Sequence, residues 1–368
     1  MRATLRAWSD RLLGRGDASI TVPVFDGALK SNRLLDDATV LATLKAPADL
    51  ATDGMSVFVA DGGCIWQHDV GNLDWAPTVA AQVEGVITAL ACLPAGGLAL
   101  AVDGREIRIV GGAHHGRRYT SVAGRALNAV NAISALADGR LIATDGSATQ
   151  PPERWKHDLM GLGRSGRLVE FSPGAESGRE LIGDLAYSFG ACETPTGNWV
   201  CESWRYRVLS VGAGAAVPVV DNLPGYPSRI VAAAGGGYWL TCFALRTQLV
   251  EFVLREPEFR KRMLKEVDPR YWIAPSVNSG NTFLEPMQGA HLKMMGVVKP
   301  WAPPRSYGLV VRLTDEGLIR YSLHSRFDGQ NHGVVAAVEC AGQLYLLSLG
   351  RNRLLRLSIA DAERSLAA

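Results

Sequence analysis

Apolar runs of strand length recur along the chain, each closed by turn residues, and no stretch keeps a helical period for long before residue 244. Three of these runs end alike. Val59-Ala60-Asp61-Gly62, Ala101-Val102-Asp103-Gly104 and Ala143-Thr144-Asp145-Gly146 stand 42 residues apart. Each Asp-Gly predicts a turn into a second strand, such as Ile107-Arg108-Ile109-Val110 or Arg167-Leu168-Val169-Glu170-Phe171. The pattern continues less regularly through Asn198-Trp199-Val200-Cys201-Glu202, Tyr238-Trp239-Leu240-Thr241-Cys242 and Leu344-Tyr345-Leu346-Leu347-Ser348. A further apolar run precedes most units, as in Ala132 to Leu136, Ile230 to Ala233 and Val334 to Val338.

Units of about four strands at a period near 40 residues predict an all-β, six-bladed β-propeller, because each sheet can bury its faces only against its neighbours. On this reading residues 1–40 are an N-terminal extension and ring-closing segment, and residues 41–368 form the propeller. An insertion over 244–305 interrupts the fifth blade. Within it, 256–267 reads as an amphipathic helix, Glu258 to Val267, with Phe259, Met263 and Val267 on one stripe and Arg260, Lys261, Arg262 and Lys265 elsewhere. That stripe either packs on the propeller or offers a membrane or protein contact.

With 38 Lys+Arg against 36 Asp+Glu and 7% aromatic residues, the chain lacks the charge and the stacking surfaces expected of a nucleic-acid partner. Apolar residues at 47% supply core for a soluble globular protein. No apolar run reaches the length of a signal or membrane segment, which predicts a cytoplasmic protein, possible peripheral membrane contact aside. Leu5, Trp8, Leu12 and Leu13, spaced among Arg2, Arg6, Arg11 and Arg15, predict a short amphipathic helix for the body or for a membrane surface. The six cysteines lie far apart without a CxxC pair and read as buried thiols.

Asn222-Leu223-Pro224-Gly225-Tyr226-Pro227-Ser228-Arg229-Ile230 followed by Gly236-Gly237-Tyr238-Trp239-Leu240 resembles the strictosidine-synthase-like family, especially its adipocyte plasma membrane-associated branch. The resemblance takes in Asn131, Asp138-Gly139-Arg140, Thr144-Asp145, Gly166 to Phe171, Tyr307 to Leu323 and Gly342 to Leu346, and so runs from about Lys45 to Leu357. It implies a six-bladed propeller, as the repeat does. It also implies kinship with gluconolactonases and paraoxonases, whose channel calcium polarises a lactone or aryl-ester carbonyl.

Carried over residue by residue, the family's four calcium-ligand positions fall at Ala48, Asn131, Phe189 and Ser228. Each precedes the unit's strand-end residue, Asp61, Asp145, Glu202 or Cys242, by 13 or 14 residues. Only Asn131 keeps the ligand's chemistry, whereas calcium wants six to eight oxygens, so no cofactor is expected and calcium remains the one candidate. Asp49 beside Ala48 faces away from the channel if the strand alternates regularly. The family's Pictet–Spengler glutamate falls at Val335 and its histidine at Gly333, with His332 adjacent, so that reaction is not expected.

Three readings follow. In the first, the channel binds a small anionic molecule through Asn131, Ser188, Ser228 and Arg229. In the second, an ester or lactone hydrolase works with a rearranged site that draws on Asp49, His157 or His332. In the third, the insertion helix makes the protein a docking scaffold. His114-His115-Gly116-Arg117-Arg118 reads as a solvated loop or an anion grip. Gly161 to Gly166 is a hairpin approach rather than a phosphate loop, and Trp204-Arg205-Tyr206-Arg207 is a place for cation-on-ring packing.

Overall fold

The computed structural model describes residues 21–172, 174–212, 214–279, 293–294, 297–298 and 306–367. The expected helix over the first arginines lies outside them.

Six four-stranded antiparallel sheets form the blades. Blade 1 comprises Pro47–Thr52, Ser56–Asp61, Cys64–Asp69 and Thr78–Gln82, and blade 2 Ile87–Cys92, Leu98–Val102, Glu106–Val110 and Arg118–Tyr119. Blade 3 comprises Val130–Ala135, Leu141–Asp145, Gly166–Phe171 and Arg179–Leu185, and blade 4 Ser188–Thr194, Gly197–Glu202, Arg207–Val211 and Val217–Val220. Blade 5 comprises Gly225–Ala232, Tyr238–Leu245, Gly308–Leu313 and Ile319–Ser325. Blade 6 is closed by the N-terminal side of the chain: Val334–Cys340, Gln343–Ser348 and Arg353–Ser358 take Thr39–Thr43 as their outer strand. The closure buries Leu34, Leu35 and Ala38 against Leu344, Leu346 and Leu355.

The repeated strand-end acid has a common job. Asp61 accepts the amides of Lys45 and Ala46, Asp103 that of Val86, Asp145 those of Asn128 and Ala129, and Glu202 that of Ala186. Each carboxylate thus braces the loop that leads into the innermost strand of its own blade. Backbone donors there would otherwise go unpaired, and this explains why the motif recurs.

Every innermost strand also breaks register near its start, between Pro47 and Asp49, Ile87 and Ala89, Val130 and Ala132, Ser188 and Ala191, Pro227 and Ile230, and Val334 and Ala336, with a second break in blade 5 between Tyr226 and Pro227. The extra residues are Ala48, Thr88, Asn131, Phe189 with Gly190, Ser228 with Arg229, and Val335. A bulge removes a residue from the ladder and re-aims its neighbours, so the channel lining is set by these irregularities.

Four helices occur among the described residues: α1 (Trp155–Gly161), α2 (Gln248–Arg255), α3 (Pro257–Glu266) and α4 (Ile359–Ala367). Blade 5's second strand runs on to Leu245, so the insertion begins later than expected. Its first helix, α2, starts at the N-cap Thr247, whose hydroxyl accepts from the Val250 amide. The second, α3, stops at Glu266, with Val267 already extended. It docks through Arg260 and Met263 rather than through the whole predicted stripe, leaving Phe259 50% and Val267 38% exposed. The reason is polar as well as apolar, since Arg260 donates to the Met160 carbonyl of α1. Cys192, Cys201, Cys242 and Cys340 are buried, Cys64 and Cys92 half-buried, and all six are free thiols.

Candidate functional site

The bulges bring Asp49 and Arg229 together at the centre of the ring. Alternation along a regular strand predicts that Asp49 turns away, but the bulge at Ala48 resets it. The Asp49 carboxylate lies 2.7 Å from Arg229 Nε and accepts the amides of Leu50 and Leu90. Both side chains are buried. Burial pushes the Asp49 carboxyl up to about 6, against the pull of Arg229 and the two amides, and it draws Arg229 downward, against the pull of Asp49.

The other channel candidates have their polar atoms engaged within the fold. Asn131 accepts from Thr144 Oγ1 at 2.6 Å and donates to the Ser188 carbonyl at 3.0 Å. The Ser188 hydroxyl meets the carbonyls of Asp145 and Arg167, and the Ser228 hydroxyl meets Thr241. Ala48 and Phe189 supply no donor oxygen from their side chains. This set does not match the oxygen cage that calcium needs, and no group of three or more His, Cys, Asp or Glu suited to a metal occurs among the described residues.

Above the Asp49–Arg229 pair the channel mouth is filled by rings. Tyr187 stacks on Trp204 with centroids 4.4 Å apart, and Phe189 and Trp155 meet Phe243 at 5.4 and 5.1 Å. Leu159 and Met160 of α1, Met263 of α3 and Trp272 join the same cluster. Below the pair remains a void of about 30 Å³, lined in part by Asp49, Leu90, Gly190 and Arg229, with room for little more than one water.

The remaining candidates lie apart from this centre. His157 is half-buried with its ring edge on Trp272 at 4.7 Å, and burial holds it below the usual histidine range. Its neighbour Asp158 is turned to Ser147 Oγ at 2.5 Å and Trp204 Nε1 at 2.7 Å. His332 donates from Nε2 to the Arg326 carbonyl and accepts at Nδ1 from Ser306, both at 2.7 Å. The motif Trp204 to Arg207 does carry cation-on-ring packing, but the cation is Arg246, 3.6 Å from the Tyr206 ring centre, while Arg207 pairs with Glu202.

A well-formed concavity lies off the axis, at the rim between blades 4 and 5 under α2. It measures about 570 Å³ and is lined by Leu159, Arg164, Trp204, Arg205, Tyr206, Asp221, Asn222, Arg246, Glu251, Leu254 and Arg255 among others. Arg246 is fixed in its wall by Asn222 Oδ1 and the Leu223 carbonyl, both at 2.9 Å, and by Glu251 at 3.3 Å. Four arginines face two acids, so the lining is positive on balance, with Trp204, Tyr206, Leu159 and Leu254 as an apolar wall. Sequence reasoning met Arg164, Trp204 to Tyr206 and Asn222 of this set, but in three separate motifs and not as one site. The other walls come from elements far apart in the chain.

The chain's homologues bear out the resemblance. It is 29% identical over 249 residues to the human adipocyte plasma membrane-associated protein and 27% over 253 residues to the bovine one, in each case 65% of this chain and 54% of the relative. A strictosidine synthase-like protein of Arabidopsis thaliana is 27% identical over 135 residues, 36% of each chain. The chain spans about half the length of the first of these curated relatives. No protein-family model matches it. Among solved structures, a gluconolactonase from Xanthomonas campestris superposes with a TM-score of 0.54 at 14% identity, covering 92% of this chain and 95% of that one. The calcium-binding protein regucalcin from Agrobacterium tumefaciens gives 0.51 at 12% identity over 88% and 93%. These likenesses fix the six-bladed fold, and the homologues are adipocyte plasma membrane-associated and strictosidine synthase-like proteins.

Proposed function

We propose that this strictosidine-synthase-like propeller binds a small anionic organic molecule, and that the binding site is the rim cavity rather than the channel. The carrying observation is the cavity itself: about 570 Å³, four arginines against two acids, and an aromatic wall. Arg246 is already oriented by Asn222 and the Leu223 carbonyl, so it meets a ligand without much further loss of freedom. An aryl or alicyclic body with a carboxylate or phosphate suits this lining.

Lactone or ester hydrolysis in the channel finds less support. Asp49 is committed to Arg229, His157 faces Trp272, and among the described residues no nucleophile is paired with either. Val335 and Gly333 leave Pictet–Spengler chemistry without its base. Melting the protein with millimolar 2-naphthoate or 1-naphthyl phosphate tests the reading. A binder present at 100 times its Kd stabilises by about 2.7 kcal/mol, and charge reversal at exposed Arg164 (Arg164→Glu) should remove most of that gain. No shift with any aryl anion would count against it.

A second reading rests on the cap. Leu249, Phe252, Phe259 and Tyr271 are exposed beside Lys261, Arg262 and Lys265, which suits contact with an anionic membrane surface, and the relatives are called plasma membrane-associated. No described helix is long and apolar enough to cross a membrane. Co-sedimentation with phosphatidylserine vesicles that Phe252→Ser with Phe259→Ser abolishes would favour it. Equal sedimentation of the variant would exclude this surface.

A further inference from the structure

One guanidinium reaches the innermost strand of every blade. Arg229 rises from blade 5. Its Nε meets Asp49 of blade 1 at 2.7 Å, and its Nη2 donates to the carbonyls of Thr88 in blade 2 at 3.0 Å and Asn131 in blade 3 at 2.6 Å. Its Nη1 donates to the Val335 carbonyl of blade 6 at 3.3 Å, and its carbon lies 5.1 Å from the ring centre of Phe189 in blade 4. Thr88, Asn131 and Val335 are bulged residues. A bulge takes its residue out of the ladder, which leaves that carbonyl without a strand partner in a channel closed above by rings. Arginine, with donors only and in a planar fork, satisfies such a ring of acceptors from one centre.

We infer that Arg229 is a built-in cation that stands in for the channel calcium expected of such a propeller. A metal there would gather strand oxygens and carboxylates around one positive charge. Here the positive charge is covalently part of blade 5, the oxygens are three bulge carbonyls, and the carboxylate is Asp49. The family's ligand positions have changed to match, since Ala48 and Phe189 offer no oxygen and Asn131 and Ser228 are bonded elsewhere. The ring is therefore pinned without metal, and Arg229 serves closure of the propeller rather than capture of a ligand. The inference is independent of the rim cavity and survives its failure.

Thermal melts of wild type, Arg229→Met, Asp49→Asn and the double variant, each with chelator and with 1 mM calcium, test it. The wild-type midpoint should be the same with chelator and with calcium. Each single variant should melt about 4 °C or more below wild type, and the double variant should lose less than the two losses summed, because the pair acts as a unit. If Arg229→Met does not accumulate as folded protein, Asp49→Asn and the wild-type calcium comparison still decide. A calcium-dependent rise in wild type, or an Asp49→Asn variant as stable as wild type, overturns the inference. The four-fold change Ala48→Glu, Phe189→Asn, Ser228→Asp, Arg229→Asn should restore a calcium-dependent midpoint if it folds.

Discussion

Removing the carboxylate of Asp145 is a graded test of why the strand-end acid repeats. Asp145 is 2% exposed, accepts the Ala129 amide at 2.7 Å and the Asn128 amide at 3.3 Å, and pairs with Arg167, itself nearly buried, at 2.9 Å. Alanine here strands two amides and takes from buried Arg167 its near carboxylate, although Arg167 keeps Glu180 at 3.7 Å and its bonds to the Val122, Arg125 and Ala126 carbonyls. Breaking a buried pair from one side costs about 3–5 kcal/mol. The equivalent Asp103 is exposed and braces only the Val86 amide, so Asp103→Ala should cost about 1 kcal/mol. In a chain of this size that is a fall in melting temperature of roughly 1.3 °C per kcal/mol, hence about 4–6 °C against about 1 °C. Circular dichroism melts under matched conditions read the difference. If Asp103→Ala costs as much as Asp145→Ala, or if Asp145→Ala melts with wild type, the bracing account is wrong. Asp145→Leu with Arg167→Met should recover part of the loss, since the buried charge is gone.

Gly190 has φ +89°, and a Cβ there would collide with the Ser228 carbonyl oxygen and sit 2.6 Å from Arg229 Cα. Gly190→Ala should therefore cost roughly 3 kcal/mol by splaying blades 4 and 5, read as a lowered urea midpoint. Buried His324, held by Tyr307 at 3.1 Å and Ser322 at 2.7 Å, is pushed down to about 4, below its unfolded value near 6.5. The unfolded chain thus binds the proton first, and about 3 kcal/mol of stability is lost as pH falls from about 6.5 to 4. Asp49, raised to about 6, acts in the opposite sense over part of that range, so the readout is the difference between wild type and His324→Gln. A variant with the same pH slope as wild type would contradict the assignment.

The propeller could be read from sequence because its period is written in strand-end acids and Gly-containing turns, and both do local work that a local pattern can express. The register of the channel was readable too: the positions 13 or 14 residues before each strand-end residue, Ala48, Asn131, Phe189 and Ser228, all fall at bulges. What lay beyond reach was direction. A bulge leaves no hydrophobic signature, so nothing in the alternation of β residues announced that Asp49 turns toward Arg229. Nor does the sequence say whether an arginine is free or spent, since the acceptors of Arg229 are backbone carbonyls of residues nearly a hundred or more positions away. The rim cavity was hidden for the same reason. Helix α2 reads equally well as the end of a strand until Thr247 is seen to cap it, and its wall meets that of α1 only in three dimensions.

The claim that ligand chemistry sits at the rim, with the channel closed, is tested most directly by hydrogen–deuterium exchange with and without saturating 1-naphthyl phosphate. The account predicts slowed exchange confined to 159–164, 204–206 and 246–255, with the innermost strands around Asn131 and Ser228 unchanged. Protection centred on those innermost strands would put the ligand in the channel and contradict it.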